Sequence, residues 1–186
     1  MLNKKLIAIC AFILITGICQ AQGRYFTKTG KIQFSSRAPM EDIDAVNKTV
    51  TAILDSKSGA LQFSVLMKGF DFEKALMQEH FNENYVESNK FPKAEFKGTI
   101  TNNGDINYSK PGTYTANVKG KLTIHGVTRD VSSNGTIKVE GDGLAASSTF
   151  NIELSDYDIK IPAVVKEKIS NNVKISVNAN LEPLKN

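Results

Sequence analysis

His80 and His125 are the two residues of this chain best suited to acid–base work or metal ligation, because imidazole is the side chain that titrates near neutral pH without perturbation. His80 stands three residues before Glu83, a spacing that places both on one helix face, and Glu79 and Glu87 lie close by. Adding either of those glutamates still leaves the set short of the usual zinc complement. A nucleophilic triad would need a serine beside one histidine, and no serine stands in a strand–turn–helix elbow. No catalytic residue and no metal ligand is therefore assigned, and the chain is not expected to be an enzyme. His80 reads as a structural residue hydrogen-bonded where a helix meets the strands, and His125 as a turn residue. Asp156-Tyr157-Asp158 pairs two carboxylates in an irregular stretch and reads as a solvated loop. Gly141-Asp142-Gly143 reads as a hairpin loop and not a phosphate cradle, because no helix follows it.

Thiol chemistry depends on what precedes the folded region. Lys4 and Lys5 are followed by an apolar run over residues 6–18 and then by Cys19-Gln20-Ala21, the pattern of a secretory leader with small residues where a peptidase reads. The expectation is a signal peptide over residues 1–21, cleaved after Ala21, and a periplasmic or secreted product. The run is shorter than the ~20 residues needed to span a bilayer. Ile18 before Cys19 is too bulky for a lipid-modification signal. Both cysteines, Cys10 and Cys19, would leave with the leader, so the product would have neither disulfide nor thiol nucleophile. The net charge of +4 would fall to +2 with the two leader lysines gone, too near neutral to argue for nucleic acid as a partner.

Residues 22–186 read as a single domain of strands separated by turn chemistry. Ile32 and Phe34 alternate with polar neighbours; residues 46–54 form a β-branched run; Leu61, Phe63, Val65 and Met67 share one face. Further on, residues 93–101, 113–124, 127–140, 144–154 and 173–181 each place apolar side chains at every second position. His125-Gly126 between two of these runs can take the positive φ values of a two-residue hairpin turn. The result is about eight antiparallel strands, all-β with a short helical insertion. Each strand has one apolar face and must close on itself or pack face to face. Alternation alone does not separate a barrel from a sandwich.

The insertion, residues 70–91, is where function would reside. Leu76, Met77, His80, Phe81 and Tyr85 recur at helical spacings on one face, Phe70 and Phe72 lead in, and Phe91-Pro92 ends the segment. A helix over the mouth of a barrel would offer Phe70, Phe72, Leu76, Met77, Phe81 and Tyr85 to a ligand. The alternative is that these residues plug the barrel as ordinary core.

Three stretches resemble the YceI-like family of secreted lipid-binding barrels. Gly120, Leu122, Thr123, Ile124, Gly126, Val127, Thr128, Arg129 and Val131 follow its G-x-L-T-[IL]-x-G-V-T-[KR]-x-V pattern. His80-Phe81, Tyr85 and Phe91-Pro92 to Phe96 resemble its His-apolar pair followed by an aromatic residue and [YF]-P-x-x-x-F. Phe150 to Ile159 resembles its late strand and Asp-aromatic-x-Ile corner. The family's early histidines have no counterpart in residues 30–39, and its Arg-Asp before the histidine is Gln78-Glu79 here. The resemblance implies an eight-stranded lipocalin-like barrel with the insertion as its lid. It also implies a non-enzymatic binding protein holding an isoprenoid quinone, a polyprenyl lipid or a fatty-acid-like molecule, with no other cofactor. Homodimers are common in the family. The competing expectation is a structural or interaction protein whose barrel is filled by side chains and holds no ligand.

Overall fold

The structure is a computed structural model and describes residues 23–184, so the expected leader lies outside the described residues. The described chain forms β1 (Arg24–Arg37), β2 (Asp42–Asp55), β3 (Ala60–Leu66), β4 (Asp71–Phe72), β5 (Lys93–Ile100), β6 (Gly112–Ile124), β7 (Val127–Glu140), β8 (Gly143–Glu153) and β9 (Asn172–Pro183). The sheet runs β1-β9-β8-β7-β6-β5-β3-β2 and closes through β1–β2, while β4 is a two-residue strand beside β2. Eight antiparallel strands thus form a barrel, which removes the edges that a sandwich would leave unpaired.

The alternating apolar positions point inward as read from the sequence. Along β9, Val173, Ala179 and Leu181 are buried; Ile175 and Val177, of the same parity, are half-buried. His125 and Gly126 adopt φ of 52° and 76°, the left-handed pair that a tight hairpin turn requires, and a Cβ on Gly126 would lie 2.6 Å from the Phe91 ring. The first two strands extend well beyond the apolar runs and contain a bulge, where the register passes from Gly30–Val50 to Ile32–Asn47. The bulge turns Asn47 inward without exposing it. Its Nδ2 donates to the Leu66 carbonyl at 2.8 Å, and its Oδ1 accepts from the Thr49 backbone N–H at 2.9 Å and hydroxyl at 3.0 Å, so the buried amide is satisfied.

The barrel has two unlike ends. At the far end, Ala52, Leu54, Val139, Leu144 and Leu181 pack in one buried cluster with Leu61, Ile100 and Ile137, which also floor the cavity described below, and the β5–β6 connection adds Ile106 and Tyr108 to it. Tyr108 stacks on Tyr25 at 6.4 Å and donates its hydroxyl to Asn103 Oδ1 at 2.7 Å. Burial pushes the Tyr108 hydroxyl up to about 12. At the other end the chain between β3 and β5 folds over the opening.

That insertion is less helical than the spacing predicts. α1 (Ala75–His80) has six residues and no side-chain N-cap at Lys74, and it widens at once into a π turn (Phe81–Tyr85), in which the Val86 N–H reaches the Phe81 carbonyl. Asn82 Nδ2 donates to the Gln78 carbonyl at 2.8 Å beside this widening. The π turn changes the angular register, so Phe81, Tyr85 and Val86 reach the barrel, whereas Leu76 is 60% exposed. The single helical face expected from Leu76 to Tyr85 is therefore split.

Candidate ligand cavity

Beneath the insertion lies a cavity of about 610 Å³, within the ~300–1,000 Å³ typical of small-molecule sites. Its wall is built from the inward positions of the strands: Phe34 on β1, Phe63 on β3, Leu122 and Ile124 on β6, Phe150 on β8, Ile175 and Val177 on β9. All of these point inward, yet all are only half-buried, because they face open space and not one another. Gly98 and Gly120 sit opposite each other on β5 and β6. A Cβ on either would strike the Phe96 ring that lies across both, so the glycines let that aromatic side chain lie against the wall.

All six residues expected to touch a ligand border this cavity, in different ways. Phe70 is fully buried and belongs to the core under the roof. Phe72 and Phe81 are half-buried and join it with Phe34 in a four-ring cluster, with Phe72–Phe81 at 5.0 Å, Phe34–Phe70 at 5.3 Å, Phe34–Phe81 at 5.5 Å and Phe70–Phe81 at 5.7 Å. Met77 and Tyr85 line the cavity at intermediate burial, and burial raises the Tyr85 hydroxyl above its usual range. Leu76 is different: it lies on the rim with its side chain largely in solvent. Spacing alone missed the strand residues Phe34, Phe63, Phe150 and Ile175. The signal was present in their shared parity, but parity does not reveal which stretch of a barrel is empty.

Polar groups gather at the edges. Glu41 and Lys74, which pair at 3.0 Å, and Lys168 and His80 also border the cavity. His80 is exposed and its side chain makes no hydrogen bond among the described residues, so the seam contact expected of it is not made; it ends a six-residue helix at the cavity rim. Among the described residues no group of three or more His, Cys, Asp or Glu is placed to hold a metal.

His125 does more than turn the chain. Its Nε2 lies 2.7 Å from Glu87 Oε2 and its Nδ1 lies 3.1 Å from the Tyr157 carbonyl, so both ring nitrogens face oxygen acceptors, while the ring packs on Phe91 at 4.6 Å. The hydrogen bond from His125 holds the Glu87 carboxyl below its ordinary range, with Lys90 adding a smaller effect. This contact latches the C-terminal end of the insertion, where Glu87 takes a φ of 45°, to the β6–β7 turn. Nor is the Asp156-Tyr157-Asp158 stretch a merely solvated loop. The two carboxylates are exposed, but Tyr157 is 2% exposed and anchors the corner after β8 in the core.

Comparison with known proteins follows the same lines. Solved structures of similar shape include a polyisoprenoid-binding domain from Saccharophagus degradans, with a TM-score of 0.75 at 11% identity over 87% of this chain and 99% of that one. BcnA of Burkholderia cenocepacia has a TM-score of 0.66 at 17% identity, covering 82% and 95%, and a Campylobacter jejuni YCEI protein has 0.52 at 19%, covering 73% and 83%. At these identities the likeness is one of fold. Two UPF0312 proteins of Pseudomonas putida, strains W619 and GB-1, are each 29% identical over 99 residues, 49% of this chain and 47% of theirs, so the chain spans about half the length of these curated relatives in the match. The YceI-like domain matches residues 16–181, nearly the whole chain. With the closed eight-stranded barrel and its aromatic roof, that match places the chain in the YceI-like family.

Proposed function

We propose that this protein is a non-enzymatic exported carrier that holds one long apolar lipid, such as an isoprenoid quinone, a polyprenyl chain or a fatty-acid-like molecule, inside its barrel. One observation carries the reading: a cavity of about 610 Å³ whose wall residues Phe34, Phe63, Leu122, Phe150, Ile175 and Val177 face inward and yet are not covered. Each methylene withdrawn from water into such a wall contributes about 0.8 kcal/mol, so a few isoprene units supply useful affinity without a charged contact. The polyisoprenoid-binding description of the Saccharophagus degradans domain supports the ligand class. The non-enzymatic part of this reading is supported by the histidines: the His80 side chain has no hydrogen-bond partner among the described residues, and His125 is engaged by Glu87 and the Tyr157 carbonyl.

Export rests on the leader pattern, with the mature chain starting at Gln22 in the periplasm. The test is to express the protein with its leader in a Gram-negative host, isolate it from the periplasm and record its native mass before and after organic extraction. A mass in excess of the chain from Gln22 that is lost on extraction is expected, and Ile175→Glu should lack it, since an unpaired carboxylate beside an apolar chain is strongly disfavoured. A lipid-free wild type that also takes up no polyprenol or fatty acid would end the carrier reading and favour a barrel that only interacts with partners.

A further inference from the structure

The barrel wall does not stay zipped all the way round. The β7–β8 ladder runs from Glu140–Gly143 only as far as Gly135–Ser148; beyond that point residues 127–134 of β7 pair with β6 alone and residues 149–153 of β8 with β9 alone. The two strands part into a wedge. At its narrow end, the Ser133 and Ser148 hydroxyls meet at 2.6 Å and Ser148 Oγ donates to the Asn134 carbonyl at 2.9 Å. At its wide end, the turn after β8 crosses over, with the Arg129 Nε–H donating to the Asp156 carbonyl at 2.8 Å and His125 against the Tyr157 carbonyl.

The cavity reaches this seam. Val131, Ser133, Phe150 and Ile152 line it from the inward face; Thr136 and Ser147, which register places on the outward face and which are exposed, line it too. One cavity therefore touches both sides of the wall here. The side chains at the narrow end are small, at Ser133, Gly135, Ser147 and Ser148.

A second lapse in the wall behaves differently. Between the Thr51–Ser64 and Val46–Asp71 pairings, β2 also lacks a strand partner on its β3 side, but buried Asn47 bonds across to the Leu66 carbonyl. The roof is likewise fastened, by the four-ring cluster, the Lys74–Glu41 pair and the Glu87–His125 latch. Lifting the roof breaks all of those contacts. Widening the β7–β8 wedge breaks no strand ladder; it costs the Ser133–Ser148 and Ser148–Asn134 contacts at the narrow end and the Arg129–Asp156 contact at the wide end, whose polar groups can turn to water.

We propose that the β7–β8 seam is a lateral portal through which the apolar chain of the lipid enters and leaves the cavity, a proposal that rests on the carrier reading above. The portal is a matter of rate: obstructing it slows uptake and release together and leaves the equilibrium affinity unchanged.

With both native cysteines ahead of Ala21, a single introduced thiol can be modified selectively. Asn134→Cys, exposed on the outward face just past the last β7–β8 pair, and Leu76→Cys on the rim are each coupled to a bulky maleimide, and binding and release of the fluorescent fatty acid cis-parinaric acid are followed by stopped flow. The seam adduct is expected to slow both rates by at least about tenfold with Kd unchanged, and the rim adduct to alter them less than about twofold. Thr149→Cys carrying the same maleimide, on the outward face of β8 across the seam, should act like the Asn134 adduct and covers the case in which Asn134→Cys fails to fold. Rates slowed by the rim adduct and not at the seam, rates untouched by either change, or a weakened Kd with an unaltered uptake rate would each overturn the portal. A wild type that binds the probe while showing one of those results loses only the portal, whereas a wild type that binds no lipid at all loses the carrier reading and the portal with it.

Discussion

The two ends of the barrel are made of the same kinds of residue and behave as opposites. At the far end Leu54, Val139 and Leu181 point inward and are buried almost completely. At the roofed end Phe34, Leu122, Phe150 and Ile175 point inward with the same parity along their strands but are only half-buried, because they face the cavity. The difference is not hydrophobicity. It lies in what covers the opening: the β5–β6 connection sinks Ile106 and Tyr108 into the far end, while the insertion at the other end lays its ring cluster across the top and leaves the volume below unfilled. One end supplies stability and the other supplies space.

The contrast can be attacked first at the filled end. Leu181→Ala removes a side chain that is 1% exposed, and it should destabilise the ligand-free protein by about 2–5 kcal/mol, the cost of lost burial plus a residual void. Urea melting of delipidated protein reads this directly. Phe81→Ala at the roofed end should cost much less, about 1–2 kcal/mol, because the ring gives up edge and stacking contacts but already borders empty space. The same change should sharply reduce lipid retained through purification. If the two truncations cost the same and lipid retention is untouched, the ends do not differ as described.

Smaller effects are set by pH, in opposite directions. Glu87 has its carboxyl lowered in the fold by His125, so its contribution is present above the ordinary glutamate value of 4.5 and is lost as pH falls through the lower folded value. The roof should therefore loosen in acid first. Hydrogen exchange at residues 81–91 should rise below pH 4.5, and Glu87→Gln should flatten that dependence. Tyr108 is raised by burial, from an ordinary 10.0 to about 12, so its contribution is full below 10.0 and disappears as pH climbs through about 12. The far end should open in alkali, and Tyr108→Phe should remove that sensitivity while losing the hydrogen bond to Asn103, a change smaller than either truncation. Thermal melts across both pH ranges measure the pair.

Alternation along β6, β7, β8 and β9 was enough to place the inward faces and the antiparallel order of the wall, and the His125-Gly126 pair marked its tightest turn, because side-chain period and φ preference are local properties. The apolar, aromatic character of the insertion was equally legible. Other features depend on groups far apart in the chain. His125 meets Glu87 across 38 residues; Asn47 is turned inward by a bulge; Leu76 is left on the rim by a helix that gives way to a π turn after six residues. The hollow itself belongs to this second kind. Whether eight apolar faces fill their interior depends on the distance that barrel closure sets between opposite walls and on how deep each covering loop sinks, neither of which any single strand encodes. Parity dictates which side chains face inward, and closure decides whether they meet.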